Sequence, residues 1–301
     1  MNSRQQAIGG YLFILPAMLF LIVFLVYPTF WTTALSFNTG RGFQFDKWIG
    51  FRNYVDLFTH DHSFIDLTHF PPSGAVFNNV LWMIMNTTLC VGLGLLIAVM
   101  ADRVRYERVV KAVVFLPMAI AATAVAIIWL FVYSPDKHIG LLNAVLTTIN
   151  SNANPVAWTG QKDTVNYAII IANVWAQTGF AMVVLSAALK GIPADIIEAA
   201  RIDGANEARI FRYITLPSLS LPISVVVVTL VIWVLKVFDI IYIMTAGGPG
   251  DSSRVIAYTM FRETFNGSPG YGSAVAVILL LLIIPVMVLN IRRFRSERVV
   301  T

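Results

Sequence analysis

The sequence predicts an all-α polytopic membrane protein with six transmembrane helices. Of its 301 residues, 57% are hydrophobic and 12% are charged, whereas soluble domains carry about 25% charged residues. Six stretches are apolar over the roughly 20 residues that a helix needs to cross a bilayer. They cover approximately residues 11–36, 77–100, 110–133, 166–189, 221–244 and 273–292. We therefore expect residues 1–301 to form a single transmembrane domain, without a separate soluble part and without nucleic-acid binding.

The first apolar run is expected to remain in the protein as its first span. It extends from about Ile8 to Ser36, which is too long for the hydrophobic region of a signal peptide, and it lacks an Ala-x-Ala cleavage pattern. The only cysteine, Cys90, lies in the second apolar run. A single cysteine forms no internal disulfide and supplies no pair of metal ligands.

The distribution of Lys and Arg predicts the orientation in the membrane. Thirteen of the 21 lie near the N-terminus, in residues 101–111, in residues 190–220 and in the C-terminal tail; seven lie in the alternate loops, and Lys236 lies in a span. Cytoplasmic loops carry the excess of Lys and Arg. Both termini and residues 190–220, which we call the charged loop, are therefore predicted to be cytoplasmic.

The charged loop is predicted to contain two short helices. Pro193 suits a first helical turn because its missing N–H would have no partner there, and Asp195 suits the positive end of the helix dipole. Gly204 readily adopts the left-handed conformation that ends a helix. These signals predict a helix over Pro193–Asp203, and Asn206 is a good N-cap for a second helix.

The first of these helices carries a surface suited to docking. Ala200 and Gly204 are four residues apart and lie near one face with Ala199, which leaves a shallow spot where another surface can approach closely. Glu198 is flanked by small residues and points its carboxylate outward. The alternative interpretation is an ordinary charged loop with no partner.

The order of residues in the charged loop favours the docking interpretation. Glu-Ala-Ala, three residues, Gly, nine residues and Ile-x-Leu-Pro resemble the signature of the membrane subunits of binding-protein-dependent ATP-binding cassette (ABC) importers. Four further segments are similar to the carbohydrate-uptake, maltose-type branch of that family: GFRNYVDLF (50–58), FLPMAIAATAVAIIW (115–129), GLLNAVL (140–146) and FDIIYIMTAGGPG (238–250). The residues at the signature positions are Glu198, Ala199, Ala200, Gly204, Ile214, Leu216 and Pro217.

The resemblance implies a complex in a bacterial or archaeal cell membrane. Its other members would be a second homologous permease, two ATPase subunits and an extracytoplasmic sugar-binding protein. The helix Pro193–Asp203 would be the coupling helix, seated in a cleft of an ATPase subunit with Glu198 paired to a basic group there. The implied docking residues are Glu198, Ala199, Ala200, Asp203 and Gly204.

No catalytic role and no cofactor are expected for this chain. It contains no Gly-x-x-x-x-Gly-Lys-Ser/Thr phosphate-binding loop, so ATP and Mg²⁺ would be bound by the partner ATPase subunits. His60, His62 and His69 lie close to Asp61 and Asp66 in the sequence. Nothing in their spacing fixes a ligand geometry, so we expect a solvated outer segment there and no metal site.

Polar and aromatic residues recur at helical spacing in the fourth and fifth predicted spans. In the fourth they are Asn173, Gln177 and Phe180, and in the fifth Thr229, Trp233 and Lys236. Aromatic rings and hydrogen-bonding side chains are what a sugar pathway requires, but buried amides also hold neighbouring helices together. The family resemblance implies that these two helices line the pathway.

Lys236 and Asp239 are two ionisable residues within one predicted span. A charge at membrane depth costs on the order of 2.5–3.5 kcal/mol on insertion scales, so each needs an explanation. They could form a structural ion pair at i, i+3, or Lys236 could donate a hydrogen bond to a sugar. A third possibility is an ion-coupling site, which would make the protein a secondary carrier. An assembly protein without transport activity is a further alternative.

The substrate predicted from the resemblance is an α-glucoside. Segments YERVVKAVVFLPMAI and IWLFVYSPDKHIGLLNA look closest to permeases for maltose, trehalose or sucrose. Related permeases carry glycerol-3-phosphate, which is the alternative substrate class together with other polyols.

Overall fold

The computed structural model describes residues 13–40, 42–68 and 70–297, and within them the chain forms helices and no strand. The predicted all-α class is therefore confirmed. Residues 1–12 and 298–301, which include both termini, the start of the first predicted span and Arg298 of the basic C-terminal tail, lie outside the described residues, as does His69. In chain order the helices are α1 Phe13–Leu35, α2 Arg52–Thr59, α3 Ala75–Ala101, α4 Glu107–Phe115, α5 Ala122–Val132, α6 Leu141–Ile149, α7 Val165–Lys190, α8 Ala194–Ile202, α9 Glu207–Ser218, α10 Ser220–Leu235, α11 Asp239–Met244, α12 Ile256–Asn266 and α13 Pro269–Glu297.

Four helices in the described part of the chain are long and apolar enough to cross a membrane: α1, α3, α7 and Pro269–Arg292 of α13. They coincide with the first, second, fourth and sixth predicted spans. The third predicted span lies in a bent pair of helices, and the fifth begins in the second helix of another bent pair. The bend is 101° between the α4 segment and α5, and 63° between α9 and α10. The predicted number of six is reached when each bent pair counts as one span.

The third predicted span, 110–133, is not one helix. After α4 a 3-10 turn covers Leu116–Ala119, and Ile120 and Ala121 have extended backbone before α5 begins. Pro117 lies in the 3-10 turn and has no N–H to donate to a continuing helix. The apolar composition continues through this break, which is why hydropathy alone did not reveal it.

The fifth predicted span, 221–244, is also interrupted. Helix α10 ends at Leu235 and α11 begins at Asp239. Phe238 has φ −139° and ψ −59°, outside the helical region, so the backbone changes direction between the two helices.

The described chain divides into two compact units. The first comprises the described residues up to Asp61 together with Thr259–Leu281. In it, the loop after α1 is held by the buried side chain of Asn53, whose Nδ2 donates to the carbonyl oxygens of Ser36 (2.8 Å) and Asn38 (3.0 Å). The α1 side chains are exposed over the whole apolar window within this unit.

The second unit comprises His62–Tyr258 and the described residues from Leu282. Its centre is the pair α3 and α7, which pack along their lengths, with α10 against α3 and α11 against α5. Small residues allow this approach: a Cβ added to Gly94 of α3 would lie 2.7 Å from the Cβ of Ala181. Trp82, Cys90, Ile169 and Met182 are fully buried in the resulting core.

The two short helices of the charged loop are present where the sequence predicted them. Helix α8 covers Ala194–Ile202, with Pro193 and Asp203 as its caps, and Gly204 follows with φ +81°. The side chain of Asn206 accepts a hydrogen bond from the backbone N–H of Arg209 at 2.9 Å. Local capping chemistry therefore decides where both helices begin and end.

Candidate functional site

A cavity of about 360 Å³ lies in the second unit between two helix breaks. One wall is the break between α4 and α5, another is the break between α10 and α11, and α7 lies beside them. The lining residues are Pro117, Met118, Ile120, Ala122, Val125, Asn173, Ala176, Gln177, Trp233, Lys236, Val237, Phe238, Asp239 and Ile240.

The backbone at both breaks is irregular. Ile120 and Ala121 are extended, and neither α5 nor α11 has a side chain hydrogen-bonded to its N-terminal backbone as a cap. In a bilayer, irregular backbone is tolerated only where it is buried in protein or lines a water-filled cavity. Two such breaks beside one cavity therefore favour a water-filled space there.

Four of the six pathway candidates line this cavity: Asn173, Gln177, Trp233 and Lys236. The Phe180 ring lies next to it, with its centroid 4.8 Å from that of Trp233. Thr229 is not among the lining residues; its hydroxyl donates to the carbonyl oxygen of Val225 within α10 at 2.9 Å.

Lys236 and Asp239 form no ion pair in this structure. The predicted i, i+3 contact required a continuous helix, and the break at 236–238 removes that geometry. Both side chains are exposed and line the cavity. The predicted structural ion pair is therefore absent, and Lys236 and Asp239 each line the same cavity separately.

A row of buried amides joins α3 to α7 beside the cavity. Asn86 accepts a hydrogen bond from Asn173 Nδ2 at 2.7 Å and donates through its own Nδ2 to Gln177 at 3.3 Å. Further along, Trp82 Nε1 donates to Asn166 Oδ1 at 3.3 Å. Asn173 is only 7% exposed, so it holds the two helices together as well as contributing to the lining.

The amides of α3 were not identified from the sequence, although their spacing carried a signal. Asn78, Trp82 and Asn86 recur four residues apart, which places them on one face of a helix. The partners of that face lie about 90 residues away in the chain, so sequence periodicity alone could not name them.

Amide side chains also anchor the segment that contains the Gly-Gly-Pro element. Asn78 donates to the carbonyl oxygens of Ser252 (2.8 Å) and Arg254 (2.7 Å), and Asn166 donates to that of Ser252 at 2.8 Å. The Arg254 side chain is fully buried and donates a hydrogen bond to the Ser63 hydroxyl. Nothing in the sequence pattern predicted a buried arginine with this structural role.

The predicted docking residues lie together on the surface of the charged loop. Glu198, Ala199, Asp203 and Gly204 are exposed, and Ala200 is half-buried. In the part of the chain that the structure describes, Glu198 forms no ion pair. No residue of α8 is buried.

Apolar side chains add to this surface. Ile196 is 49% exposed and Ile202 is 87% exposed. A short helix that presents a carboxylate, small residues and exposed isoleucines has the composition expected of a contact surface.

Charged residues lie on both sides of α8. After it, Glu207 accepts hydrogen bonds from Arg201 and from Arg103. Before it, the Nζ of Lys190 lies 2.7 Å from a carboxylate oxygen of Glu107. A second cavity, of about 350 Å³, is lined by residues of α8, α9 and the end of α3.

The histidines of the predicted outer segment lie near carboxylates. His60 Nδ1 lies 3.3 Å from Asp56, and His62 Nδ1 lies 3.6 Å from Asp66. Over residues 13–40, 42–68 and 70–297 there is no group of three or more His, Cys, Asp or Glu side chains arranged to hold a metal ion.

Comparison with known proteins identifies the family. The family described as binding-protein-dependent transport system inner membrane component matches residues 90–294. This chain belongs to that family. In this inner membrane component, the matched residues include both helix breaks, all of α7 and the charged loop.

Relatives of this inner membrane component match along nearly its whole length. The osmoprotective compounds uptake permease GgtC of Synechocystis sp. is 48% identical, over 95% of this chain and 99% of the relative. The α-glucoside transport system permease AglF of Rhizobium meliloti is 40% identical, over 97% and 84%. The trehalose/maltose transport system permease MalF of Thermococcus litoralis is 32% identical, over 97% and 96%.

The fold of this inner membrane component is also found in a solved structure. A chain of a bacterial ABC transporter that imports the acidic polysaccharide alginate superposes with a TM-score of 0.76 at 24% identity, covering 96% of both chains. At that level of identity the likeness concerns the fold.

Proposed function

We propose that this chain is a permease subunit of an ATP-driven ABC importer for a neutral sugar or polyol. The cavity between the two helix breaks is then its part of the translocation pathway. The observation that carries the proposal is that both irregular stretches, 120–121 and 236–238, belong to the walls of one cavity. Membrane-embedded backbone of this kind requires water or protein polar groups beside it.

The lining of the cavity supports a polyhydroxylated substrate. Trp233 offers an aromatic face, Gln177 offers both a donor and an acceptor, and Lys236 and Asp239 add a charged donor and a charged acceptor. Hydroxyl groups act as donors and acceptors at once, so they suit this mixture. A phosphate would be attracted by Lys236 and repelled by Asp239, which disfavours the glycerol-3-phosphate alternative.

The names of the relatives point in the same direction. GgtC is named for osmoprotective compounds, AglF for α-glucosides and the archaeal MalF for trehalose/maltose. We propose an α-glucoside such as maltose, trehalose or sucrose as the substrate, with an osmoprotective compound as the second candidate because GgtC is 48% identical.

The charged loop would form the cytoplasmic contact with the ATPase subunit. Glu198 and its small neighbours on α8 would dock into an ATPase subunit, which binds ATP and Mg²⁺, while this chain remains non-catalytic. ATP-driven closure of the ATPase pair would displace α8 and alternate the access of the cavity. A second permease and an extracytoplasmic binding protein would complete the complex.

Family membership favours this mechanism over a secondary carrier, because a binding-protein-dependent system receives its substrate from a separate protein. Lys236 and Asp239 would then contact substrate and would not carry a coupling ion.

The proposal is tested by purifying the tagged chain from its native membrane in mild detergent and identifying the proteins that accompany it by mass spectrometry. We expect an ATPase subunit, a second permease and a solute-binding protein. The binding protein would then be titrated with α-glucosides, polyols and glycerol-3-phosphate by calorimetry. Recovery of the chain alone, or only with copies of itself, under conditions that preserve other membrane complexes would contradict the proposal.

A further inference from the structure

Helix α8 is flanked on its C-terminal side by a shared carboxylate. Glu207, the first residue of α9, accepts hydrogen bonds at Oε1 from Arg201 Nε (3.2 Å) and Nη2 (3.1 Å). Its other oxygen, Oε2, accepts from Arg103 Nη2 at 2.9 Å. Arg201 belongs to α8, whereas Arg103 belongs to the turn between α3 and α4. One carboxylate therefore joins the end of α8 to that turn.

The N-terminal side of α8 is joined to the same region of the chain. Lys190, the last residue of α7, lies with its Nζ 2.7 Å from Oε1 of Glu107. Glu107 is the first residue of α4 and also accepts from Lys111, which in turn contacts the hydroxyl of Ser186. Glu107 and Arg103 are four residues apart, so both flanks of α8 are attached to one short segment, 103–107.

Packing contributes little to the position of α8. None of its residues is buried, and the cavity of about 350 Å³ lies between it and the ends of the neighbouring helices. The cavity is lined by Ile197 and Arg201 from α8 and by Val99 and Arg103 from the opposite side. No apolar interface buries α8, and charged contacts join the residues at its two flanks to the segment around 103–107.

We propose that segment 103–107 receives the movement of α8 and passes it to the membrane helices, and that Glu207 and Glu107 are the positioning residues of this connection. The inference rests on the proposed docking role of α8. Segment 103–107 leads directly into α4, and the α4 helix leads through its 3-10 turn to Ile120, which lines the first cavity. A displacement of α8 would thus reach segment 103–107 through the ion pairs, and the continuous chain would carry it from there to the wall of the proposed pathway.

The energetics suit a connection that must move. Side chains of Arg103 and Glu207 are 61% and 52% exposed, and exposed ion pairs contribute little to stability individually and are screened by salt. Loss of the Glu207 contacts should therefore leave the fold intact and alter only the transmission of movement.

The test uses the complete complex reconstituted into liposomes, with ATP hydrolysis and solute uptake measured on the same preparation. For Glu207→Gln we expect normal association with the ATPase subunits and a fall of about fivefold in solute imported per ATP hydrolysed, the factor that corresponds to loss of about one exposed ion pair. Arg103→Gln, which leaves the contacts between Arg201 and Glu207 in place, should produce a fall that is no larger. Arg105→Gln is the matched control: it lies in the same segment, is exposed, and forms no ion pair in the described part of the chain.

A double-mutant cycle separates a direct connection from two unrelated effects. If Arg103 and Glu207 act through each other, adding Arg103→Gln to Glu207→Gln should lower the solute imported per ATP no further. Uptake per ATP that is unchanged in both single variants, or effects that simply add, would overturn the connection while leaving the importer assignment intact. Wild-type complex that imports no solute with ATP would instead overturn the importer assignment, and the connection with it.

Discussion

Asn173 of α7 donates a hydrogen bond of 2.7 Å to the side-chain oxygen of Asn86 of α3. Asn86 in turn donates a hydrogen bond through its Nδ2 to Gln177, one turn further along α7. Gln177 and Asn173 both line the cavity between the helix breaks. Asn86 therefore orients two residues of the proposed pathway from behind, without being a lining residue itself.

Replacing this shared partner should lower the stability of the subunit. Asn86→Ala leaves Asn173 and Gln177 without their partner in a buried setting, and we expect a loss of about 1–2 kcal/mol in the free energy of unfolding. Thermal unfolding of the detergent-solubilised complex would measure it. Asn152→Ala, in an exposed loop, serves as the control, and equal melting temperatures for the two variants would contradict this role of Asn86.

Two glycines of α3 provide a matched test of the helix pair. A Cβ at Gly94 would lie 2.7 Å from Ala181, whereas a Cβ at Gly92 would meet no atom within 4 Å. Gly94→Ala should lower the free energy of unfolding by about 1–3 kcal/mol because α3 and α7 must separate. Gly92→Ala should raise it by up to about 1 kcal/mol through its helix propensity. The two melting temperatures should move in opposite directions; a shift of both in the same direction would argue against close packing at Gly94.

Lys236→Gln distinguishes a substrate contact from an ion-coupling site. The amide keeps a hydrogen-bond donor but loses the charge, so we expect the solute concentration for half-maximal uptake to rise by about tenfold, the effect of a charge-assisted hydrogen bond. Uptake should still require ATP. Proteoliposomes assayed with ATP alone and with an imposed proton or sodium gradient would measure this. Uptake by the wild type that follows the gradient without ATP would contradict the substrate-contact role.

Glu198→Ala should weaken the complex without unfolding this subunit. Because Glu198 is exposed and forms no ion pair in the described residues, its loss leaves no buried partner behind. We expect about tenfold weaker retention of the ATPase subunit in a pull-down, as for loss of a charge-assisted hydrogen bond, at unchanged yield and gel-filtration profile. Asp163→Ala, in a loop predicted on the opposite side of the membrane, is the control. Equal retention by both variants would exclude Glu198 from docking.

The charged loop was predictable because its structure is decided locally. Gly204 takes the left-handed conformation and Asn206 caps the next helix, and each of these follows from the chemistry of a few adjacent residues. The four uninterrupted spans were predictable for a similar reason, since continuous apolar composition over a bilayer thickness suffices.

The cavity was only partly predictable, because its walls depend on contacts between distant segments. Asn173 and Trp233 were identified by helical spacing, but the break after Pro117 lies in an uninterrupted apolar run. The pairing of Lys236 with Asp239 was wrong because it assumed a helix that the chain does not continue. The amides of α3 and the buried Arg254 become recognisable only when α3, α7 and the Gly-Gly-Pro segment are brought together.

The helix breaks also bear on how such a protein can diverge. Helix ends leave several main-chain N–H and carbonyl groups without intrahelical partners, and α5 begins beside the cavity without a side-chain cap. Main-chain groups are present whatever the amino acid. In the proposed passage, side chains such as Gln177 and Trp233 can therefore be exchanged during evolution while the main-chain groups still bind water, which gives one scaffold freedom to acquire new solutes.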